Sequence, residues 1–170
     1  MQVLVAEAVG PWESVGGDIK FLRLKQRQIG GLVTNGSVRD TDEVLDYGFP
    51  CFSHSVTACQ GPAAMQPWRC NDVVNVNGTV VRPGDAIIGD QDGVVVVPAK
   101  VAETVYRIGH GREEIEEIVK EELTKNPGPP GKFYPFMSGK IKVDSPLGQL
   151  LKTKGITPEN SNQFEGTADW

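Results

Sequence analysis

Apolar and polar positions in the first part of the chain follow the periods of strands and helices in turn. Residues 2–6 form a short apolar run that is typical of a buried strand. In the segment that begins at Asp18, the residues Ile19, Leu22 and Ile29 recur at helical spacing, which predicts an amphipathic helix with these side chains inward. Asp18 lies where the N-cap of this helix would be.

A second strand and a second helix follow directly. The glycines at 30 and 31 end the first helix, and residues 32–34 are typical of the next strand. A strand, a helix and a strand in this order normally give two parallel strands joined by a right-handed crossover. Residues 40–47 predict another short helix, and residues 49–53 are strand-like.

Closely spaced β-strands are predicted between residues 72 and 98. Asn77-Gly78 separates two β-branched runs and is a strong signal for a two-residue hairpin turn. Further turns are predicted at Pro83-Gly84-Asp85 and at Asp92-Gly93. The run from Val94 to Val97 is apolar throughout, which predicts a strand buried on both faces.

The last part of the chain is predicted as one long helix and an irregular extension. Over residues 101–123, apolar side chains share one side of a helix. These are Val101, Val105, Ile108, Ile115, Ile118 and Val119. The Pro-Gly-rich composition after residue 125 predicts a domain over residues 1–125 and an irregular extension over 126–170. That extension would wrap the domain or a neighbouring subunit through its aromatic residues, which are Phe133, Tyr134, Phe136 and Trp170.

Net charge, the length of apolar runs and the cysteine spacing argue against several classes of protein and site. The formal net charge of −5 at pH 7 argues against nucleic-acid binding, which requires a basic surface. No apolar run approaches the roughly 20 residues that span a bilayer, and the N-terminus lacks a basic leader, so we expect a cytoplasmic protein without membrane contact. Cys51, Cys59 and Cys70 fit neither a zinc site nor a disulfide framework, and we expect reduced thiols.

Two acidic residues and an arginine are placed to share a site. Asp18 follows Gly17 at the start of the first helix, and Arg39-Asp40 comes shortly after the second strand. Ligands of such units bind where helices begin and strands end, and a helix N-terminus attracts anions. This arrangement suits a small oxyanion held beside a divalent metal ion.

A purely structural explanation fits the same spacing. Asp40 and Glu43 match a capping box, Asp18 could cap its own helix, and Arg39 could form a surface ion pair. Spacing alone leaves both explanations open.

The sequence also resembles a known family, over about residues 3–123. The matching motifs are Gly36-Ser37-Val38-Arg39-Asp40, Gly48-Phe49-Pro50, residues 78–85 and residues 89–98. They resemble the family that contains the class II 4-hydroxy-4-methyl-2-oxoglutarate aldolases and the regulator of ribonuclease activity A. The resemblance implies a compact layered β/β/α, swivelling-domain-like α/β fold that assembles as a homotrimer or homohexamer. It also implies that the N-terminal part of the family domain, some sixty residues before the equivalent of Val3, is missing from this sequence.

The resemblance implies roles for individual residues. In the aldolases an aspartate is followed after twenty residues by Arg-Asp, as Asp18 is here by Arg39-Asp40, whereas the regulators lack that first aspartate. Asp40 would then bind Mg²⁺ or Mn²⁺, Arg39 would bond the keto oxygen of the substrate, and Asp18 would act in proton transfer. The amides of Ile19 and Lys20, beside Gly17, would hold the substrate carboxylate.

The aldolases also use an acid from a neighbouring subunit. By position on the long helix, Glu116 is the candidate and Glu113 its rival.

The implied function is a metal-dependent lyase that cleaves a 4-hydroxy-2-oxo acid to pyruvate through a metal-bound enolate, with oxaloacetate decarboxylation as a side activity. The alternatives are a non-catalytic regulatory binding protein and an enzyme acting on another keto acid or sugar acid.

Overall fold

The computed structural model describes residues 1–133 and 139–168, and the chain divides into two compact units after Ala99. Helices and strands are mixed, which confirms the predicted α/β class. The helices are α1 (Asp18–Gln26), α2 (Thr41–Asp46), α3 (Ala102–Lys125) and α4 (Pro146–Thr153). The strands are β1 (Gln2–Ala6), β2 (Ile29–Thr34), β3 (Ser37–Val38), β4 (Cys51–Phe52), β5 (Ser55–Val56), β6 (Val74–Val76), β7 (Thr79–Val81), β8 (Ala86–Gly89) and β9 (Val94–Val97).

A parallel three-stranded sheet supports the first unit. Its order is β1-β2-β4, with Leu4 opposite Leu32 and Cys51 opposite Leu32 on the other side. Helix α1 connects β1 to β2, so the predicted strand-helix-strand unit with parallel strands is confirmed. Strands β3 and β5 form a second parallel pair. Two residues separate the end of β2 from the start of β3, and Arg39 follows β3 directly.

Helix α1 packs on the sheet through a different face from the predicted one. Phe21 is almost fully buried, and its ring stacks on that of Phe49, with centroids 5.8 Å apart and planes 15° from parallel. Ile19 is 79% exposed and Leu22 41% exposed, so the prediction that these two side chains face the core is wrong. The aromatic ring of Phe21 has more apolar surface to remove from water, and Leu24, three residues on, packs on the same core.

The two β-hairpins form at the predicted turns. Asn77 and Gly78 both have positive φ, 51° and 87°, as a two-residue type I′ turn between β6 and β7 requires. Among the described residues, strand β9 pairs with β8 alone, and Val95 is 61% exposed, so the prediction of burial on both faces is wrong. Its cross-strand partner Ile88 is 60% exposed. Pairing of two strands covers their shared edge and not their faces, so a face is buried only where another element packs on it.

The second unit has a core of its own, and helix α4 lies within the segment 126–170 that was predicted to be irregular. Helix α4 and the segments around it pack against α3. Tyr134, Phe136 and Trp170 lie outside the described residues. The buried side chains are Ile115, Val119, Phe133, Ile141, Leu147, Leu151 and Phe164.

The start of helix α4 has capping features that are visible in the sequence but were not part of the prediction. Ser145 is its N-cap, and its hydroxyl accepts a hydrogen bond of 3.0 Å from the Gly148 amide. Pro146 occupies the first helical position, where a missing N–H costs nothing. On α3, the predicted apolar side is buried at Ile115 and Val119.

Among the described residues, no helix combines the length and apolar character needed to cross a membrane. All three cysteines are free thiols, as predicted.

Shortening a core side chain of the second unit tests whether this segment is folded. Leu151 is fully buried, and we expect Leu151→Ala to lower the free energy of unfolding by roughly 2–5 kcal/mol, because the lost contacts leave a cavity. The neighbouring Lys152 is exposed, so Lys152→Ala is the matched control. Urea unfolding followed by circular dichroism measures both. Equal stability of the two variants would mean that α4 does not pack in a core.

Thiol labelling tests the packing of β4. Burial raises the pKa of the Cys51 thiol to about 11, whereas Cys59 and Cys70 are exposed. The thiolate is the reactive form, so below that pH Cys51 stays protonated. At pH 8 we expect an alkylating reagent to modify Cys59 and Cys70 first, with Cys51 reacting only as the pH approaches 11. Peptide mass spectrometry reads the three sites separately, and rapid labelling of Cys51 at pH 8 would contradict the packing.

Candidate functional site

The site is built around the start of α1, where a glycine rather than Asp18 is the N-cap. Gly17 has the extended backbone of an N-cap residue, and Asp18 is the first residue inside the helix. The N-cap residue, Gly17, has no side chain that could make a capping bond, and the prediction of Asp18 as the N-cap is wrong. The Asp18 carboxylate lies in the first turn, where the helix dipole stabilises a negative charge, and it is not occupied by capping.

Asp40 is held in an uncommon backbone conformation directly before α2. Its φ of 56° and ψ of 43° lie in the left-handed region, which aspartate tolerates better than most residues. Asp40 is the N-cap residue of α2, but its side chain makes no capping bond, so the capping box with Glu43 does not form. Instead its Oδ2 accepts a hydrogen bond of 3.3 Å from the Asp18 amide. The Asp40 carboxylate therefore binds an amide at the start of α1 and not one of its own helix.

Gly17 makes this approach of Asp40 sterically feasible. A Cβ on Gly17 would lie 2.1 Å from Asp40 Oδ2 and about 3 Å from Arg39, at 3.0 Å from Cγ and 3.1 Å from Nε. Any side chain at this position would push the carboxylate away from the helix. The glycine therefore sets the distance between the two acidic residues.

Arg39 lies between the two elements. Its amide donates to the Gly16 carbonyl at 3.1 Å, which fixes its backbone, and its Nε is 3.6 Å from Asp40 Oδ2. The two side chains are 39% and 36% exposed, so the ion pair is long, hydrated and worth little to stability. The guanidinium keeps donors that a bound anion can use.

A cleft of about 330 Å³ opens at this point. Helix geometry leaves the amides of Ile19 and Lys20 without acceptors inside the helix, because the first such bond runs from the Phe21 amide to the Gly17 carbonyl. The Lys20 ammonium donates to the Val15 carbonyl at 2.6 Å. The cleft is lined by Ser14, Gly16, Gly17, Asp18, Ile19, Lys20, Arg39, Gly61 and Pro62.

Tyr47 contacts the backbone of Asp18 from outside the cleft, which the sequence did not predict. Its phenol O–H donates to the Asp18 carbonyl at 2.6 Å. Burial raises the pKa of the Tyr47 phenol above its ordinary value, and the negative charge of Asp18 raises it further. The sequence offers only an aromatic residue before the helix-ending Gly48, and nothing in that pattern points to Asp18.

The predicted site residues of the first unit come together, whereas the two glutamates belong to the second unit. Glu116 lies on α3 and forms an ion pair of 3.1 Å with Lys120. Glu113 lies on the same helix. Within residues 1–133 and 139–168, no group of three or more His, Cys, Asp or Glu side chains is arranged to hold a metal ion.

Two curated relatives align with most of the chain. An uncharacterized protein of Methanocaldococcus jannaschii is 30% identical over 128 residues, which cover 72% of this chain and 60% of the relative. A Halalkalibacterium halodurans protein named "Putative 4-hydroxy-4-methyl-2-oxoglutarate aldolase" is 28% identical over 125 residues, which cover 73% of this chain and 59% of the relative. The chain thus spans about 60% of the length of these relatives.

Solved structures share the fold. An uncharacterized protein from Pseudomonas syringae pv. tomato superposes with a TM-score of 0.72 at 27% identity, covering 74% of this chain and 64% of the other. RraAS2 of Streptomyces coelicolor, described as an unusual member of the RNase ES inhibitor RraA family, superposes with a TM-score of 0.64 at 29% identity. That superposition covers 71% of this chain and 62% of the other.

The family follows from these similarities and from one further match. Residues 1–96, more than half of the chain, match the model of the RraA-like family, described as Aldolase/RraA. The predicted resemblance is therefore confirmed, and this chain belongs to the RraA-like aldolase family.

Proposed function

We propose that this chain is a divalent-metal-dependent carbon–carbon lyase that cleaves a 4-hydroxy-2-oxo acid of the 4-hydroxy-4-methyl-2-oxoglutarate type to pyruvate. Oxaloacetate decarboxylation is the proposed side activity. The observation that carries the proposal is that Asp18 lines a cleft together with Arg39, that its carboxylate caps no helix, and that its backbone amide contacts Asp40. A family member that only binds a partner does not need this arrangement.

The donor set fits Mg²⁺ or Mn²⁺. Mg²⁺ is commonly bound through one or two carboxylates, with water and substrate oxygens completing the shell, so it does not need a cluster of protein ligands. Both contacts of the Asp40 carboxylate involve Oδ2, which leaves Oδ1 as the proposed ligand. A metal ion bound there would polarise the carboxylate and keto oxygens of a 2-oxo acid.

Arg39 is the proposed electrophilic residue. When the carbon–carbon bond breaks, its electron pair moves into the pyruvyl half, and negative charge develops on the former keto oxygen. Arg39 lines the cleft and its backbone is held by the Gly16 carbonyl, so its guanidinium lies within the site and can donate to that oxygen. The same charge develops when oxaloacetate loses CO₂, and one site therefore serves both reactions.

Asp18 is the proposed proton-transfer group. Retro-aldol cleavage removes the proton of the 4-hydroxyl group, and the pyruvyl carbon is protonated afterwards. Asp18 is the acidic residue among those that line the cleft, and its carboxylate can take up and return this proton directly or through one water molecule. The free amides of Ile19 and Lys20 would hold the substrate carboxylate at the positive end of α1.

The assembly belongs to the proposal as well. We propose a layered β/β/α domain that forms a homotrimer or homohexamer, with Glu116 or Glu113 contributed by a neighbouring subunit. Glu116 is 45% exposed and shares Lys120 with Glu117, so it can exchange that partner for another one at low cost.

The second candidate is a non-catalytic regulator. It is favoured by the similarity to RraAS2, a relative described as belonging to an RNase inhibitor family. A regulator would bind its partner equally well with and without a chelator.

Replacing Arg39 tests the lyase proposal. We expect metal-dependent pyruvate release from oxaloacetate, and we expect Arg39→Ala to lower kcat by about 10²–10³-fold, since charge on the keto oxygen loses its donor. Arg23→Ala removes an exposed arginine of α1 and is the matched control. A coupled lactate dehydrogenase assay with Mg²⁺, Mn²⁺ or EDTA measures pyruvate release by the wild type and both variants. Turnover that is unchanged by EDTA, or unchanged in Arg39→Ala, contradicts the proposal.

Replacing Asp18 separates catalysis from helix stability. We expect Asp18→Asn to lower kcat at least about 10²-fold through loss of proton transfer, while the melting temperature changes little. Asp42 is an exposed acid in the first turn of α2, so Asp42→Asn removes a comparable charge–dipole interaction without touching the cleft. If both variants lose stability alike and neither loses turnover, Asp18 only stabilises its helix.

A further inference from the structure

Tyr47, the residue that ends α2, is attached to both ends of α1. Its phenol O–H donates to the Asp18 carbonyl at 2.6 Å. Its own carbonyl accepts a hydrogen bond from the Lys25 ammonium, which also lies 5.9 Å from the centroid of the Tyr47 ring. Asp18 is the first and Lys25 the eighth residue of a nine-residue helix, so Tyr47 spans most of its length.

The peptide groups on either side of Asp18 are both bound by α2. The Asp18 amide donates to Asp40 Oδ2 at 3.3 Å, and the Asp18 carbonyl accepts from Tyr47. Asp40 and Tyr47 are the N-cap and the C-cap residues of α2. One short helix therefore holds the Asp18 backbone from both of its ends, and this fixes the direction in which the carboxylate leaves the backbone.

Apolar packing alone does less to orient Asp18. Helix α1 buries one side chain, Phe21, and α2 buries one, Val44. The stacking of Phe21 on Phe49 and the partly buried Leu24 hold α1 against the core, but apolar contacts of this kind have little directional preference. Hydrogen bonds are directional, so the two bonds to the Asp18 peptide groups restrict its orientation.

We propose that Tyr47 is a positioning residue: its hydroxyl holds Asp18 in the orientation in which the carboxylate transfers a proton. This inference rests on the proposed function. The phenol remains a hydrogen-bond donor in neutral and mildly alkaline solution, because burial and then the charge of Asp18 raise its pKa. Tyr47 does not line the cleft, and its hydroxyl contacts the cleft residue Asp18 at the backbone carbonyl.

Tyr47→Phe and Lys25→Met each remove one of the two hydrogen bonds between Tyr47 and α1. Tyr47→Phe removes only the hydroxyl, and we expect kcat for pyruvate release from oxaloacetate to fall about tenfold with KM within about twofold, as misorientation of a catalytic group predicts. Lys25→Met removes the bond to the Tyr47 carbonyl but leaves the phenol on Asp18, and kcat should stay within about twofold of wild type. Equal kcat values in wild type and Tyr47→Phe would overturn the inference.

A double variant identifies the route of the effect. In an Asp18→Asn background, Tyr47→Phe should cause no further loss of kcat, because the group that it positions is already gone. A purely structural role of Tyr47 would lower kcat by the same factor in both backgrounds, and that result would overturn the inference.

Hydrogen–deuterium exchange gives a readout that does not depend on turnover. We expect Tyr47→Phe to speed exchange in the peptide that covers residues 16–24, and unchanged exchange there would overturn the inference. If the wild type releases no pyruvate, the proposed function fails and the catalytic role of Tyr47 fails with it. If the wild type is active and Tyr47→Phe matches it in exchange and kcat, only the inference about Tyr47 fails.

Discussion

The contact between the Asp40 carboxylate and the amide that opens α1 organises the first unit around its cleft. At 3.3 Å and with Asp40 partly exposed, this hydrogen bond is weak by itself, even with the help of the helix dipole. Asp40 also adopts a left-handed backbone, which costs of order 1 kcal/mol or more. The bond therefore does not drive folding. The packed ring of Phe21 and the missing side chain of Gly17 bring the two groups together, and the bond then sets their orientation.

Elements defined by local chemistry could be predicted from the sequence. Asn77-Gly78 determines its turn because few residue pairs accept two positive φ angles, whereas the turn between β8 and β9 has a single residue with positive φ, Gly93. The parallel pairing of β1 with β2 follows from the helix between them. The sequence also predicted that Arg39 and Asp40 lie near Asp18, because they follow a strand near the start of a helix, and the structure brings these residues together.

Three features could not be predicted from the sequence: the buried face of α1, its N-cap and the second core. In each case the local pattern is compatible with more than one arrangement. In α1, two sets of apolar residues lie at helical spacing, and the set that contains Phe21 is buried because its ring has the larger apolar area. The N-cap of α1 is Gly17, one residue before the predicted Asp18. Asp40 needs the space beside Gly17, and this tertiary constraint is not visible in the local sequence. The second core went unrecognised because its apolar residues are scattered over short segments, so that no window shows a sustained period.

Helix energetics do not distinguish the proposed catalytic role of Asp18 from a structural one, because an acid in the first turn is stabilising in either case. The surroundings of Asp18 are more informative. A helix that needed only a negative charge at its start would not require a glycine before it, a left-handed aspartate beside it, or a phenol on its first carbonyl. Each of these features restricts where the Asp18 backbone and its carboxylate lie. Restriction by several independent contacts is the pattern expected where orientation matters for chemistry.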